Sequence, residues 1–190
     1  MPVLYVRIPE DRVAVAIGPG GRTKREIATR TRTEVDVDAE EGEVRVVSPD
    51  TDPAAALQAR DIVQAIGRGF SPVRAMRLLK ENTFLGVLDI KFTTGHREKS
   101  ALRRIRARVI GTHGKARARL EELSGCSVSV YGSTVALIGD EEQLERATRA
   151  VEMLLRGSEH STVFHLLARM RRDAAAAEAL GPDTPTEDGI

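Results

Sequence analysis

Aromatic side chains are nearly missing from this sequence: its 190 residues include four Phe, two Tyr and no Trp, 3% in all. Folds that hold nucleotide bases on a platform of several stacked rings are thereby disfavoured. Cys126 is the sole cysteine, so no intrachain disulfide can form, and its position at a strand start reads as a small core residue. The histidines His96, His160 and His165 have no metal-ligand spacing, and no Ser/His/Asp set, carboxylate pair or Cys/His cluster suggests catalysis. No apolar run reaches membrane-spanning length and no signal peptide is evident. The expectation is a cytoplasmic protein, not an enzyme, with no cofactor, no metal and no membrane contact.

Acidic side chains are missing from one particular stretch. The net charge of +1 conceals a strong polarity, because residues 1–69 carry 10 basic and 12 acidic side chains, residues 70–157 carry 16 and 10, and residues 158–190 carry 3 and 6. Within the positive part, Arg97, Lys99, Arg103, Arg104, Arg106, Arg108, Lys115, Arg117 and Arg119 are opposed over their span only by Glu98. A solvated helix face mixes signs; a run of one sign points to a polyanion. The first half shows the reverse. Glu34, Asp36, Asp38, Glu40, Glu41 and Glu43 crowd one hairpin, which should repel phosphates within a Debye length of about 8 Å and favour contact with protein.

What the sequence does contain is a duplication. Ile17-Gly18-Pro19-Gly20-Gly21 precedes Arg22, Lys24 and Arg25, and Ile110-Gly111-Thr112-His113-Gly114 precedes Lys115, Arg117 and Arg119; the offset is 93 residues. It persists downstream, setting Ile27 on Leu120, Val35 on Val128 and Val37 on Val130. Two glycines bracketing two residues allow a tight turn with positive φ and close backbone approach. Because the turn opens straight into a helix, free N–H groups and the positive end of the helix dipole face outward, and such a place attracts phosphate. This is the arrangement of a KH domain, whose Gly-x-x-Gly loop clamps about four nucleotides. Arg104 and Arg108 flank the second loop, His113 is a candidate phosphate or ribose contact, and Val109, Ile110 and Val128 are candidates for an aliphatic groove that holds bases. Core packing is the competing role for these aliphatics and the stronger one for Leu120.

The element pattern repeats with the loops. A strand over 3–8, a helix over 10–17, a helix over 22–31, strands at 34–38 and 44–47 and a helix from Asp52-Pro53 to Gly67 make the first set. A Ser71-capped helix through Leu79 connects to a strand over 84–92, a basic helix over 98–110, a helix ending at Gly125, strands around Val128–Val130 and Val135–Ile138, and a helix opened by the capping box Asp140-Glu141-Glu142-Gln143. One more helix covers 161–180. The fold class expected is α+β: two tandem type I KH domains, each a three-stranded sheet with three helices on one face. The boundaries expected are 1–69 and 84–157 for the two domains, 70–83 for a connecting helix, 158–181 for a C-terminal helix and 182–190 for a disordered acidic tail. Nucleotide-using enzymes fit worse. Gly18 to Thr23 lacks the third small residue of a dinucleotide-binding turn, and Gly114-Lys115 is followed by Ala116 where a P-loop needs Ser or Thr.

The two KH-like units, the linker from Gly69-Phe70-Ser71-Pro72 to Leu79, the loop Ile110 to Gly114 and the later Gly157-Ser158-Glu159-His160 together resemble the archaeal form of the partner-of-Nob ribosome-assembly factors, over about residues 3–180. The resemblance implies binding of single-stranded RNA near the 3′ end of small-subunit ribosomal RNA. It also implies a ribosomal RNA maturation endonuclease and the alpha subunit of initiation factor two as partners. In that family the first KH unit is often degenerate, yet Gly18 and Gly21 are both present here. A protein-interaction scaffold that keeps KH folds without binding RNA is the alternative.

Overall fold

A computed structural model describes residues 2–180; the acidic tail expected over 182–190 lies outside the described residues. The first half runs β1 (Val3–Arg7), α1 (Glu10–Ile17), α2 (Arg22–Thr31), β2 (Glu34–Val37), β3 (Glu43–Val47) and α3 (Pro53–Gly67). A single turn, α4 (Pro72–Ala75), continues as a 3₁₀ turn at Met76–Leu79. The second half runs β4 (Phe84–Asp89), α5 (Ile90–Thr94), α6 (Lys99–Ile110), α7 (Lys115–Ser124), β5 (Ser127–Tyr131), β6 (Thr134–Gly139), α8 (Glu141–Leu155) and α9 (His160–Leu180). Each half forms an antiparallel three-stranded sheet, ordered β1-β3-β2 and β4-β6-β5. This is the α+β architecture that the repeated pattern predicts.

Alternation explains the first sheet. Val35 and Val37 of β2 pair with Val46 and Val44 of β3, and these valines pack on Val13 and Ala16 of α1, Ile27 of α2 and Ile62 and Ile66 of α3. The intervening Glu34, Asp36, Glu43 and Arg45, with Tyr5 of β1, face solvent. In β6 there is no alternation, and the structure supplies the reason. Val135 and Leu137 pack beneath α6, α7 and α8, whereas Ala136 and Ile138 on the opposite face join the core of the first half. A strand buried on both faces reads as a continuous apolar run.

The join between the halves is made by the linker. Phe70 is buried beneath the Arg74 guanidinium, which lies 5.4 Å from the ring centre and also pairs with Glu121. Ser129 Oγ donates to the Arg68 carbonyl at 2.9 Å, and Arg77 reaches Ser127. Gly69, at φ +96°, leaves no room for a side chain without a shift of its neighbours: an added Cβ would stand 2.7 Å from Ser129 Oγ and 2.8 Å from Tyr131 Cβ. Tyr131 donates its hydroxyl to Asp11, while Arg12 lies over its ring and binds the carbonyls of Ile66 and Phe70 at 2.9 and 2.7 Å.

One predicted element is corrected. The strand expected over 84–92 stops at Asp89, whose side chain accepts the Phe92 N–H at 3.0 Å and so caps α5. The Thr93 and Thr94 hydroxyls bond back to the carbonyls of Asp89 and Ile90, and Gly95 at φ +73° ends the turn. An Asp cap and a terminal Gly override the β propensity of Ile90, Phe92 and the two threonines.

Candidate nucleic-acid interface

Both glycine loops have one backbone. Gly18 and Gly111 stand at φ/ψ 71/169° and 71/175°, Gly20 and His113 at 54/27° and 52/27°, and Gly21 and Gly114 at 76/17° and 76/10°. The first glycine of each loop occupies a region that is essentially closed to other residues. Space closes it again: a Cβ on Gly111 would meet the Ala116 N–H nitrogen at 2.8 Å, and one on Gly18 would meet that of Thr23 at 2.8 Å. His113 is one of three non-glycine residues at positive φ among the described residues, and its side chain, like that of Thr112, is exposed.

The loop spends some of its own donors. Gly114 N–H bonds to the Gly111 carbonyl at 3.2 Å and Lys115 N–H returns to Thr112, which leaves the Thr112 and His113 amides with no partner among the described residues. In the first copy Gly21 N–H bonds to Gly18 at 3.0 Å in the same way. There, however, Pro19 holds the place of Thr112 and has no N–H to offer.

The cations named by the sequence divide into free and committed groups. Lys115 and Arg104 are exposed with no ion pair among the described residues, and Arg117 is half-buried with its Nε enclosed and unbonded. Arg119 pairs with Glu122 at 2.8 Å. Arg108 is occupied: its guanidinium donates to the carbonyls of Gly157 and Ser158 at 2.9 and 3.1 Å, and its own carbonyl meets His160 Nε2 at 2.8 Å. In the first copy Arg22 is exposed, Lys24 is held by Asp36 at 3.2 Å and Arg25 folds back onto the Gly20 carbonyl at 2.7 Å. The Lys24 hydrogen bond and charge hold the Asp36 carboxyl below its usual range.

Two candidate groove residues are corrected. Val109 and Val128 are wholly buried in the second core and present no side-chain surface, because each lies on the inward face of its element. Ile110, half-buried next to Gly111, is the aliphatic that stays at the surface. Cys126 is also internal, and burial pushes its thiol up to about 12. Sequence reasoning did not find the clasp between Arg108 and the turn before α9. Gly157-Ser158-Glu159-His160 stood out only by family likeness, and its partner is about 50 residues away. Nor did it find Glu121, whose carboxylate accepts the Val128 N–H at 2.7 Å and fixes the start of β5 beside α7. An arrangement of outward amides, a helix N-terminus and unpaired cations is suited to holding phosphates.

Residues 85–172 match the family model described as a eukaryotic type KH-domain (KH-domain type I), and residues 3–65 match a KH domain model. The chain is 43% identical to a KH domain-containing protein of Methanocaldococcus jannaschii over 169 residues, which are 88% of this chain and 73% of the relative. It is 49% identical to crystalline Dim2p from Pyrococcus horikoshii, with a TM-score of 0.84 over 89% of this chain and 99% of that one. The chain belongs to the archaeal Dim2p family. This is the partner-of-Nob type of ribosome-assembly protein with two KH domains. A second Dim2p structure, in an a/eIF2alpha–aDim2p–rRNA complex from P. horikoshii, matches with a TM-score of 0.85 at 49% identity over 90% of this chain and 95% of that one. A protein of unknown function from Aeropyrum pernix has the Dim2p fold too, with a TM-score of 0.90 at 38% identity over 94% of this chain and 95% of that one.

Proposed function

We propose that this protein is a non-catalytic RNA-binding factor of ribosome assembly. In this reading its second KH unit, residues 84–157, holds single-stranded small-subunit ribosomal RNA near the 3′ end, and the alpha subunit of initiation factor two is a protein partner. The observation that carries the reading is the second loop: two outward amides between Gly111 and Gly114, next to Lys115, Arg117 and Arg104. That a family member has been crystallised with rRNA and a/eIF2alpha supports the same ligands for this chain. The first unit, with Lys24 and Arg25 engaged internally, Arg22 left exposed, and its hairpin acidic, serves protein contact rather than RNA. Crosslinking the protein in its own cells and sequencing the attached RNA tests the proposal. Reads concentrated at the 3′ end of small-subunit RNA are expected; reads spread evenly over cellular RNA would remove the site assignment.

A further inference from the structure

In a chain with six rings, leaving one in water is costly, since burying a Phe is worth about 1.5–3 kcal/mol. Phe92 is 93% exposed, more than any other large hydrophobic residue described. Nor is it on a loose loop. It sits in α5, capped by Asp89 and closed by Gly95, and α5 is tied to the β5–β6 turn by the Ile90 N–H bonding to the Ser133 carbonyl at 2.8 Å. The same turn receives Arg106 of α6, whose guanidinium donates to the Gly132 carbonyl at 3.1 Å. The helix that carries Phe92 and the basic helix α6 are therefore both tied to the β5–β6 turn.

The exposed stretch from α5 into α6 is mostly of one sign. Lys91, Arg97, Lys99 and Arg103 are exposed and have no ion pair among the described residues; along the chain Asp89 is spent as a cap, and from Lys91 to Leu120 Glu98 is the one acidic residue. From Lys99 the exposed stripe Ser100, Arg103, Arg104 and Ala107 runs about 18 Å along α6 to Gly111. We infer that Phe92 is a stacking platform for a base of the same RNA strand, outside the roughly four nucleotides that the loop clamps. The inference rests on the RNA-binding reading above. A nucleotide brings both things this place lacks, a flat apolar face for the ring and a phosphate for the cations. An apolar protein groove would cover the ring and leave four like charges uncompensated. A single ring suffices, so the scarcity of aromatics does not oppose it.

The absence of Trp makes the test direct. Full-length wild type, Phe92→Ala, Phe92→Trp and the double variant Thr112→Asp, His113→Asp are titrated with two single-stranded RNAs from the 3′ end of small-subunit ribosomal RNA, about 12 and about four nucleotides long. Phe92→Ala is expected to weaken binding of the longer RNA about tenfold and of the shorter less than about twofold. Phe92→Trp, then the sole tryptophan, should restore affinity and be quenched saturably by the longer RNA alone. The double variant should lose both RNAs. Wild-type affinity of Phe92→Ala for the longer RNA, or an equal loss on both lengths, overturns the stacking role. Failure of wild type to bind either RNA overturns the RNA reading itself. Melting temperatures should be unchanged in the Phe92 variants, because the side chain packs against nothing.

Discussion

The second KH unit offers a ligand the amides of Thr112 and His113, with Lys115 and Arg104 exposed and without an ion pair among the described residues; the first unit has the same loop dihedrals and offers less. Pro19 removes a donor, Asp36 holds Lys24, and Arg25 is turned inward onto its own loop. The two sheets differ in the opposite sense. The outer face of the first is open to water, whereas the second is covered by the linker and by the core of its neighbour. Loop shape is thus the part of a KH site that duplication preserves, and what the neighbouring side chains are already doing determines whether the shape can be used.

The comparison can be broken most severely at the loop tips. Thr112→Asp with His113→Asp sets two negative charges against phosphate while both glycines keep the turn, and Asp tolerates the positive φ of position 113 better than most residues. RNA affinity is expected to fall on the order of 100-fold by fluorescence anisotropy, with stability shifted by about 0.5 kcal/mol or less in a thermal melt. The matching change, Pro19→Asp with Gly20→Asp, should alter affinity by less than about threefold. Equal losses from both pairs would make the units equivalent binders.

The comparison can also be run in reverse. Pro19→Thr restores the missing amide and Asp36→Asn releases Lys24, so adding both to the loop-two double variant should recover about tenfold in affinity. No recovery would place the difference elsewhere than in donors and charge. A smaller contrast lies within α6. Arg104→Ala should lower RNA affinity about threefold and leave the melt unchanged. Arg108→Ala should lower stability by roughly 1–2 kcal/mol, because two carbonyl contacts that hold the turn before α9 are lost.

The smallest effect is at the join of the halves. Partial burial, together with donation to Asp11, holds the Tyr131 phenol above its usual range. Its folded pKa is raised, so its contribution is complete below the unfolded value near 10 and declines as pH rises through the folded value. Wild type should therefore lose stability relative to Tyr131→Phe in melts carried from pH 9 upward. A constant difference between the two would mean that the phenol adds nothing beyond its ring.

Much of this was legible in the residues. Glycine spacing, valine alternation and the Asp140 capping box are local signals, and each loop, β2 with β3, and α8 formed where those signals stand. Fates that depend on distant partners were not legible. Val109 and Val128 were assigned to a groove because hydrophobic residues next to a loop look the same whether they face in or out. The clasp of Arg108 was not legible because nothing in its helix shows that Gly157 and Ser158 will accept from it. At 84–92 a local signal was present but outweighed: the Asp89 cap competed with a β-prone run.

The two-faced burial of β6 makes this tandem indivisible. Cut away from residues 1–69, the second unit would show Ala136, Ile138 and Leu85 to water as a bare apolar wall, and the first would lose part of its own floor. Heat or denaturant should meet one cooperative transition rather than two. A gene encoding the second half alone would yield a sticky fragment, so each half is kept in the chain by the surface it covers on the other, whatever either of them binds.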